Sequence, residues 1–363
     1  IDFDDDHHDP LPRAALLPPR ESSYFISHDT IEKKLLELVK LDKFPHGLIF
    51  NGIAGIGKAT FAYRLSRFLF KYGGQPTDDG LFGDAAPQLW PENMDVAADD
   101  PVFRRIASGG HPDFMALEPE EGKKGLDVEQ VRKIIPFLRR TASEGGWRIV
   151  LIDNADTMNR NAQNALLKIL EEPPARTALI LIANNTAAFL PTIKSRCRTF
   201  NFKPLELDEF KEILRKEDAS LDADKLQTLY DMCDTSAGQA LEYMNTQGLD
   251  LFIQWQGLIS SYPSFNYEEV HKFCELFARG VQENVWNGFC RNVIWAFESL
   301  SLCKAKGDSL PAILQPLAVF SESCTLDQLL KICEDLKEHL KQANFGNLDK
   351  RQAALETFML LEP

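Results

Sequence analysis

Residues Gly52-Ile53-Ala54-Gly55-Ile56-Gly57-Lys58 match the spacing G-x-x-x-x-G-K. The flanks give the match its weight. The apolar run Gly47–Phe50 precedes it, and Lys58–Phe70 that follows has helical periodicity. A buried strand that turns through glycines into a helix N-terminus forms a phosphate cradle. Backbone N–H groups converge on the anion, the helix adds partial positive charge, and the lysine reaches the outer phosphate oxygens. Gly52, Gly55, Gly57, Lys58 and Thr60 are therefore candidate nucleotide-binding residues. The bare alternative is a glycine-rich turn with no ligand, and the loop's fold can be kept while nucleotide is lost.

Around this loop the pattern predicts an α/β unit. A helix is expected over 29–40, and strands at DFMALEP, RIVLIDNAD, ALILIANN and RTFNF. Helices are expected over 128–141 and 159–172, the second stopped by Pro173-Pro174. Residues 72–112 read as a long connection or insertion. Continuous apolar strands alternating with helices imply a parallel sheet covered on both faces. From about residue 205 strand signals stop and helical periodicity runs to the end, with a soft break near Gly248–Tyr262. The domains read as 1–19 tail, 20–204 α/β, 205–254 helical and 255–363 helical.

Two positions that metal-assisted hydrolysis would use are altered. Ala59 follows Lys58, where a Ser or Thr normally holds Mg²⁺. Thr60 lies one residue on, about 100° round the helix, and substitutes only if the backbone shifts. Asp153 ends an apolar strand, the place of a Mg²⁺-orienting carboxylate, yet Asn154 follows it, and an amide cannot act as a carboxylate base. Asp156 is two residues beyond. The paired losses predict a site that does not hydrolyse nucleotide. Ser195-Arg196-Cys197 sits just before the final strand, and Arg196 alone would read as a solvated surface charge.

The chain has 363 residues, 44% apolar and 26% charged. At roughly 150 residues per domain this implies two or three domains with sizeable cores, and it disfavours wholesale disorder or a disulfide scaffold. A formal charge of −14 argues against a globally basic nucleic-acid coat. No apolar run approaches the roughly 18 residues that cross a bilayer. The acidic start IDFDDDHHDP lacks the pattern of a signal peptide, and it reads as a solvated tail more readily than as a metal site. Seven widely spaced cysteines suit free thiols in a reducing compartment, so a soluble cytoplasmic protein is expected.

GIAGIGKAT, RIVLIDNADTMN, NAQNALLKILEEPP and TIKSRCRTF, in this order and spacing, resemble the bacterial clamp loader subunits of the AAA+ family, and among them the delta-prime branch of DNA polymerase III. The resemblance is strong over residues 20–204 and only a helix pattern beyond. It implies a RecA-like α/β domain with helices on both faces of a parallel sheet, then an all-α lid and an all-α collar used in oligomerisation. It also implies a five-membered ring with gamma or tau ATPase subunits and a delta subunit, which opens a sliding clamp and places it on primed DNA. In that family the arginine of the SRC motif, here Arg196, is a finger donated in trans to a neighbour's ATP. Such fingers are worth on the order of 10³–10⁵ in rate.

Two departures from the family pattern follow, with one point of agreement. No Cys lies between Gly52 and Cys197, so the zinc module of many relatives is expected to be absent or metal-free. The stretch Thr235–Leu241, where active subunits carry a sensor arginine, has Gly238 and Gln239 instead. Asn184-Asn185 stands near the place of the other sensor. No cofactor is expected to be required, and ATP or ADP binding is expected to be weak. DNA contact through Lys123, Lys124, Arg132, Lys133, Arg139, Arg140 and Arg148, or through the helix start at Asn159-Arg160-Asn161, is a lesser possibility than a solvated or subunit-facing surface. The competing readings are an active AAA+ motor and a free-standing DNA-binding adaptor. The cysteines at 274, 290, 303, 324 and 333 and the aromatics Trp286, Phe289, Trp295 and Phe297 read as packing residues.

Overall fold

A computed structural model describes residues 17–73, 90–118, 125–143, 146–246, 248–278, 281–345 and 349–362. The DDDHHD cluster, Lys123 and Lys124 lie outside the described residues. The chain divides into two compact units, Leu16–Glu217 with Thr235–Gly238, and Asp218–Asp234 with Gln239–Pro363.

The first unit is built on five strands, β1 (Gly47–Asn51), β2 (Phe114–Leu117), β3 (Arg148–Ile152), β4 (Thr177–Ala183) and β5 (Arg198–Asn201). They form one sheet in the order β2-β3-β4-β1-β5. Every pairing is parallel, with Gly47 opposite Leu179, Leu48 opposite Arg198 and Phe114 opposite Ile149. β1, β3 and β4 are apolar at nearly every position because both faces are covered. Successive side chains go to opposite cores. Leu48, Phe50, Ile149 and Leu151 join one cluster, and Ile49, Val150 and Ile152 the other. The first cluster is closed by helices α1 (Asp29–Lys40) and α2 (Lys58–Tyr72). The parallel sheet covered by helices on both faces that the sequence predicts is the architecture observed.

Other elements depart from expectation. The connection 72–112 contains a helix, α3 (Pro101–Ala107), capped by the Asp100 side chain with proline at its first position. The single helix expected over 128–141 is two, α4 (Val128–Arg132) and α5 (Ile134–Arg139). Pro136 has no N–H to give to the Arg132 carbonyl, so the helix cannot run through. Helix α6 (Arg160–Glu171) starts where Asn159 accepts from the Ala162 N–H and ends ahead of the two prolines. Between β4 and β5 comes α7 (Pro191–Lys194), and after β5 comes α8 (Leu207–Glu217).

Helices α1 and α2 are tied by a buried ion pair. Arg64 Nη1 donates to Glu32 Oε2 at 2.7 Å and its Nε to Asp95 Oδ1 at 2.9 Å. The other Glu32 oxygen accepts the Met94 N–H at 2.6 Å. Arg67 lies on the Phe103 ring, 3.8 Å from its centroid, and burial pushes its guanidinium down to about 10.

The second unit is helical: α9 (Ala223–Met232), most of α10 (Ala237–Asn245), then α11 (Gly248–Ile259), α12 (Tyr267–Cys274), α13 (Glu283–Lys306), α14 (Ala318–Ser323), α15 (Leu326–Phe345) and α16 (Lys350–Met359). The break expected near Gly248–Tyr262 is mostly helix α11, whose Phe252, Trp255 and Ile259 are buried at helical spacing. α13 packs on α11 and α15. Trp286, Phe289 and Phe297 are core residues, as are Cys274, Cys290, Cys324 and Cys333. All seven cysteines are free thiols. Among the described residues no helix is long and apolar enough to cross a membrane.

Candidate functional site

β1 delivers the chain into the glycine loop at its C-terminal end. Gly57 caps α2 in the left-handed region at φ 93°, a conformation that side chains with a Cβ rarely adopt. Lys58, the first residue of α2, is 4% exposed. Its Nζ donates to the Gly52 carbonyl at 2.7 Å, the Ile53 carbonyl at 2.6 Å and Asn184 Oδ1 at 2.9 Å. An ammonium has three protons, and all are taken. Burial pushes Lys58 down to about 8, against the nearby charges of Asp153 and Asp156.

β3 and β4 bring the acidic and amide residues to the same end of the sheet. Asp153 Oδ1 accepts the Asn154 N–H at 2.8 Å. Burial raises the Asp153 carboxyl above its usual range. Asn154 is in the left-handed region at φ 47°, and Asn184 Nδ2 reaches its Oδ1 at 3.5 Å. Asp156, which has no obvious partner in the sequence, holds β4's exit: its Oδ2 accepts from the backbone N–H of Asn184 at 3.0 Å and of Asn185 at 2.9 Å. A cleft of about 110 Å³ opens beside them, lined by Ala59, Tyr63, Glu118, Leu151 and Asp153 among others. The Ala59 methyl cannot ligate a metal, and the Asn154 amide cannot take a proton from water. Among the described residues no group of three or more His, Cys, Asp or Glu is placed to hold a metal ion.

The segment Thr235–Gly238 packs on the loop. Ser236 Oγ donates to the Ala54 carbonyl at 2.7 Å, and the Gly238 N–H to the Gly55 carbonyl at 2.8 Å. A Cβ on Gly238 would lie 2.7 Å from Gly55 Cα. This backbone-on-backbone approach, in the stretch expected to lack an arginine, has no signature in the sequence beyond a lone glycine. His28 is a second residue that pattern reading passes over: its Nε2 lies 3.0 Å from the Ile56 carbonyl, and its ring stands edge-on to Phe202.

Ser195-Arg196-Cys197 is elsewhere. It precedes β5, next to Gly47 at the start of β1, whereas Lys58, Asp153 and Asn184 lie beyond the strands' C-terminal ends. At roughly 3.3 Å per residue a five-residue strand separates the two places by about 15 Å. Arg196 is 35% exposed and pairs through Nη2 with Glu171 Oε1 at 3.0 Å. Its Nη1 donates to the Thr192 carbonyl at 3.1 Å and contacts Ser195 Oγ at 3.3 Å. Cys197 anchors the motif: a Cβ on Gly47 would come 2.9 Å from both Cys197 Sγ and Leu170 Cδ2. Burial pushes the Cys197 thiol up to about 12, so it is a packing group and not a nucleophile.

Of the basic residues considered for nucleic acid, Arg132, Lys133, Arg139 and Arg140 are exposed on α4 and α5 and at their ends. Arg148 is a correction. It opens β3 and is buried, so it cannot meet a phosphate backbone. The Asn159 side chain is committed to capping α6.

Comparison with known proteins agrees with the motifs. A family model described as "DNA polymerase III, delta subunit" matches residues 91–206. The chain is 41% identical over 153 residues to DNA polymerase III subunit delta' of Pseudomonas aeruginosa, covering 42% of this chain and 41% of that protein. It is 31% identical over 192 residues to the subunit delta' of Bacillus subtilis, covering 52% of each. A replication factor C small subunit of Staphylothermus marinus is 28% identical over 231 residues, 62% of this chain and 58% of that protein. The chain spans about half the length of the curated delta-prime relatives it matches. The likeness to delta-prime subunits that the motifs carry is present in these matches, which cover about half of the chain.

Proposed function

We propose that this chain is a non-hydrolysing subunit of a bacterial DNA polymerase III clamp loader, and that Arg196 serves as an arginine finger for ATP held by a neighbouring subunit. The observation that carries this reading is the placement of Arg196 at the opposite end of the sheet from Lys58 and Asp153. An arginine side chain cannot span that distance, so any nucleotide phosphate that this cation meets is held by another molecule. A guanidinium is permanently charged and forks onto phosphate oxygens, which suits it to a triphosphate presented across an interface.

The chain's own loop supports the other half of the reading. Lys58 and the glycines keep the phosphate cradle, so ATP or ADP binds weakly at most. Ala59 and Asn154 supply neither metal ligand nor base, so no turnover follows. No zinc is used. The neighbours would be gamma or tau ATPase subunits and a delta subunit in a five-membered ring. Residues 20–204 would be the RecA-like domain, 205–254 the lid and 255–363 the collar through which the ring assembles. The loader would act in the cytoplasm on a sliding clamp and primed DNA, touching DNA through non-specific backbone contacts.

The test is reconstitution with gamma or tau and delta subunits of the same source. Arg196→Ala is expected to leave ring assembly intact by size-exclusion chromatography while at least halving the ATPase stimulated by clamp and primed DNA. An unchanged rate overturns the finger assignment. Steady ATP turnover by the isolated chain, in the range of its ATPase partners, overturns the non-hydrolysing assignment.

A further inference from the structure

We propose that Glu171 is a positioning residue that holds Arg196 in a resting place in the free subunit and yields it when a triphosphate is presented by the adjoining subunit. The inference rests on the reading of Arg196 as a cation used in trans. Arg196 Nη2 lies 3.0 Å from Glu171 Oε1. The pair is held by rigid backbone on both sides. Glu171 is the last residue of α6, and Leu170 before it gives its carbonyl to His46 Nε2 at 3.1 Å. Cys197 packs on Gly47 and Leu170, and the Arg196 and Cys197 N–H groups both donate to the Ile193 carbonyl. The two backbones are therefore fixed and only the side chains need to move.

The charges favour this arrangement and also limit it. The C-terminal end of α6 carries partial negative charge that adds to the Glu171 carboxylate. The pair is open to water all the same, with Glu171 50% exposed and Arg196 35%. Solvent screens such pairs, so the hold is weak and exchangeable. A triphosphate carries several negative charges on closely spaced oxygens and accepts a forked guanidinium, so it wins the competition. Glu171 then acts through Arg196: it keeps the guanidinium off other anions until the ring closes, at a small cost in apparent contact with the nucleotide.

The experiment measures binding of the full chain to its ATPase neighbour with and without a non-hydrolysable ATP analogue and Mg²⁺. The nucleotide-dependent gain in affinity is the quantity read. Arg196→Ala is expected to abolish the gain, and a gain that survives this change overturns the underlying finger reading. Glu171→Gln, nearly isosteric, is expected to increase the gain about two- to fivefold, the range of an exposed ion pair. Glu171→Asp, one methylene shorter, is expected to move it the same way. The double variant Glu171→Gln with Arg196→Ala is expected to match Arg196→Ala alone. An unchanged or smaller gain in Glu171→Gln, while Arg196→Ala abolishes it, overturns the resting-place role and leaves the finger standing. Weaker binding of Glu171→Gln in the absence of nucleotide makes Glu171 part of the interface itself, which also overturns the proposal.

Discussion

Lys58 Nζ donates a hydrogen bond to Asn184 Oδ1 at 2.9 Å, joining the first turn of α2 to the exit of β4. With the Gly52 and Ile53 carbonyls this satisfies the buried ammonium. Asn184 is in turn held by Asp156 through its backbone N–H. One carboxylate, one amide and one ammonium thus fix the geometry of the loop from within the chain.

Asn184→Ala removes one acceptor from a buried cation and is expected to destabilise the protein by about 1–3 kcal/mol at pH 7. The sign of the pH dependence follows from Lys58. Its folded value of about 8 lies below the 10.5 of an unperturbed lysine. Between these values the unfolded chain binds more protons, so wild-type stability gains from this group as pH rises through the window. Below pH 8 the ammonium is charged in both states and the missing acceptor costs its full amount. Urea unfolding at pH 7 and pH 9 checks this: the difference between variant and wild type is expected to shrink at pH 9. An equal difference at both pH values would show that Lys58 is not the group concerned.

Asp153→Asn is expected to stabilise the free chain at neutral pH and to raise its melting temperature. Burial raises the folded Asp153 carboxyl above 3.8. In the window above 3.8 the folded state holds the proton longer, so stability falls as pH rises through it, and the cost is constant at higher pH. Asparagine removes that cost and keeps an oxygen for the Asn154 N–H. Melting curves at pH 7 and near pH 4 should show the advantage shrinking on acidification. A variant that melts lower than wild type at pH 7 would mean that the Asp153 charge is compensated in the fold.

The sheet and its order of motifs were legible because β1, β3 and β4 are buried on both faces, which leaves long apolar runs, and because the loop glycines and the prolines after α6 punctuate them. The Ala59 and Asn154 losses were legible because each replaces a chemical group at a fixed offset. The distance between Arg196 and the loop was not, since it follows from where β5 lies in the sheet. Neither was the burial of Arg148, whose place in a strand reads the same as a surface charge until β2 and β4 are paired around it. Helix α11 was hidden by Gly248 at its start, and the split of α4 from α5 lay in one proline within an otherwise periodic stretch. Contacts made by backbone, such as Gly238 on Gly55, leave almost no trace in residue type.

Gly238→Ala tests that contact. The added methyl meets Gly55 Cα at 2.7 Å, an atom of backbone that cannot rotate away. Overpacking of this kind costs about 1–3 kcal/mol. Hydrogen exchange at the Gly238 amide, which donates to the Gly55 carbonyl at 2.8 Å, is expected to speed up in the variant. Ser236→Ala, which deletes the 2.7 Å bond to Ala54, should cost less, about 1 kcal/mol, because Ala54 is an exposed residue to which water has access. Wild-type exchange in Gly238→Ala would place the Thr235–Gly238 segment off the loop.

The acidic partners of Arg64 should separate by burial. Glu32 and Arg64 side chains are each 10% exposed and 2.7 Å apart, while Asp95, on the same guanidinium at 2.9 Å, is 57% exposed. Removing Glu32 leaves a buried cation short of its partner and also strips the Met94 N–H of its acceptor. Glu32→Ala is therefore expected to cost about 3–5 kcal/mol in urea unfolding. Asp95→Ala removes a contact that water already screens and is expected to cost about 1 kcal/mol or less. Their order is the decisive observation. Equal losses would place the Arg64 charge in solvent, and a larger loss for Asp95 would mean that the α1–α2 tie runs through the loop before α3 instead of through the core.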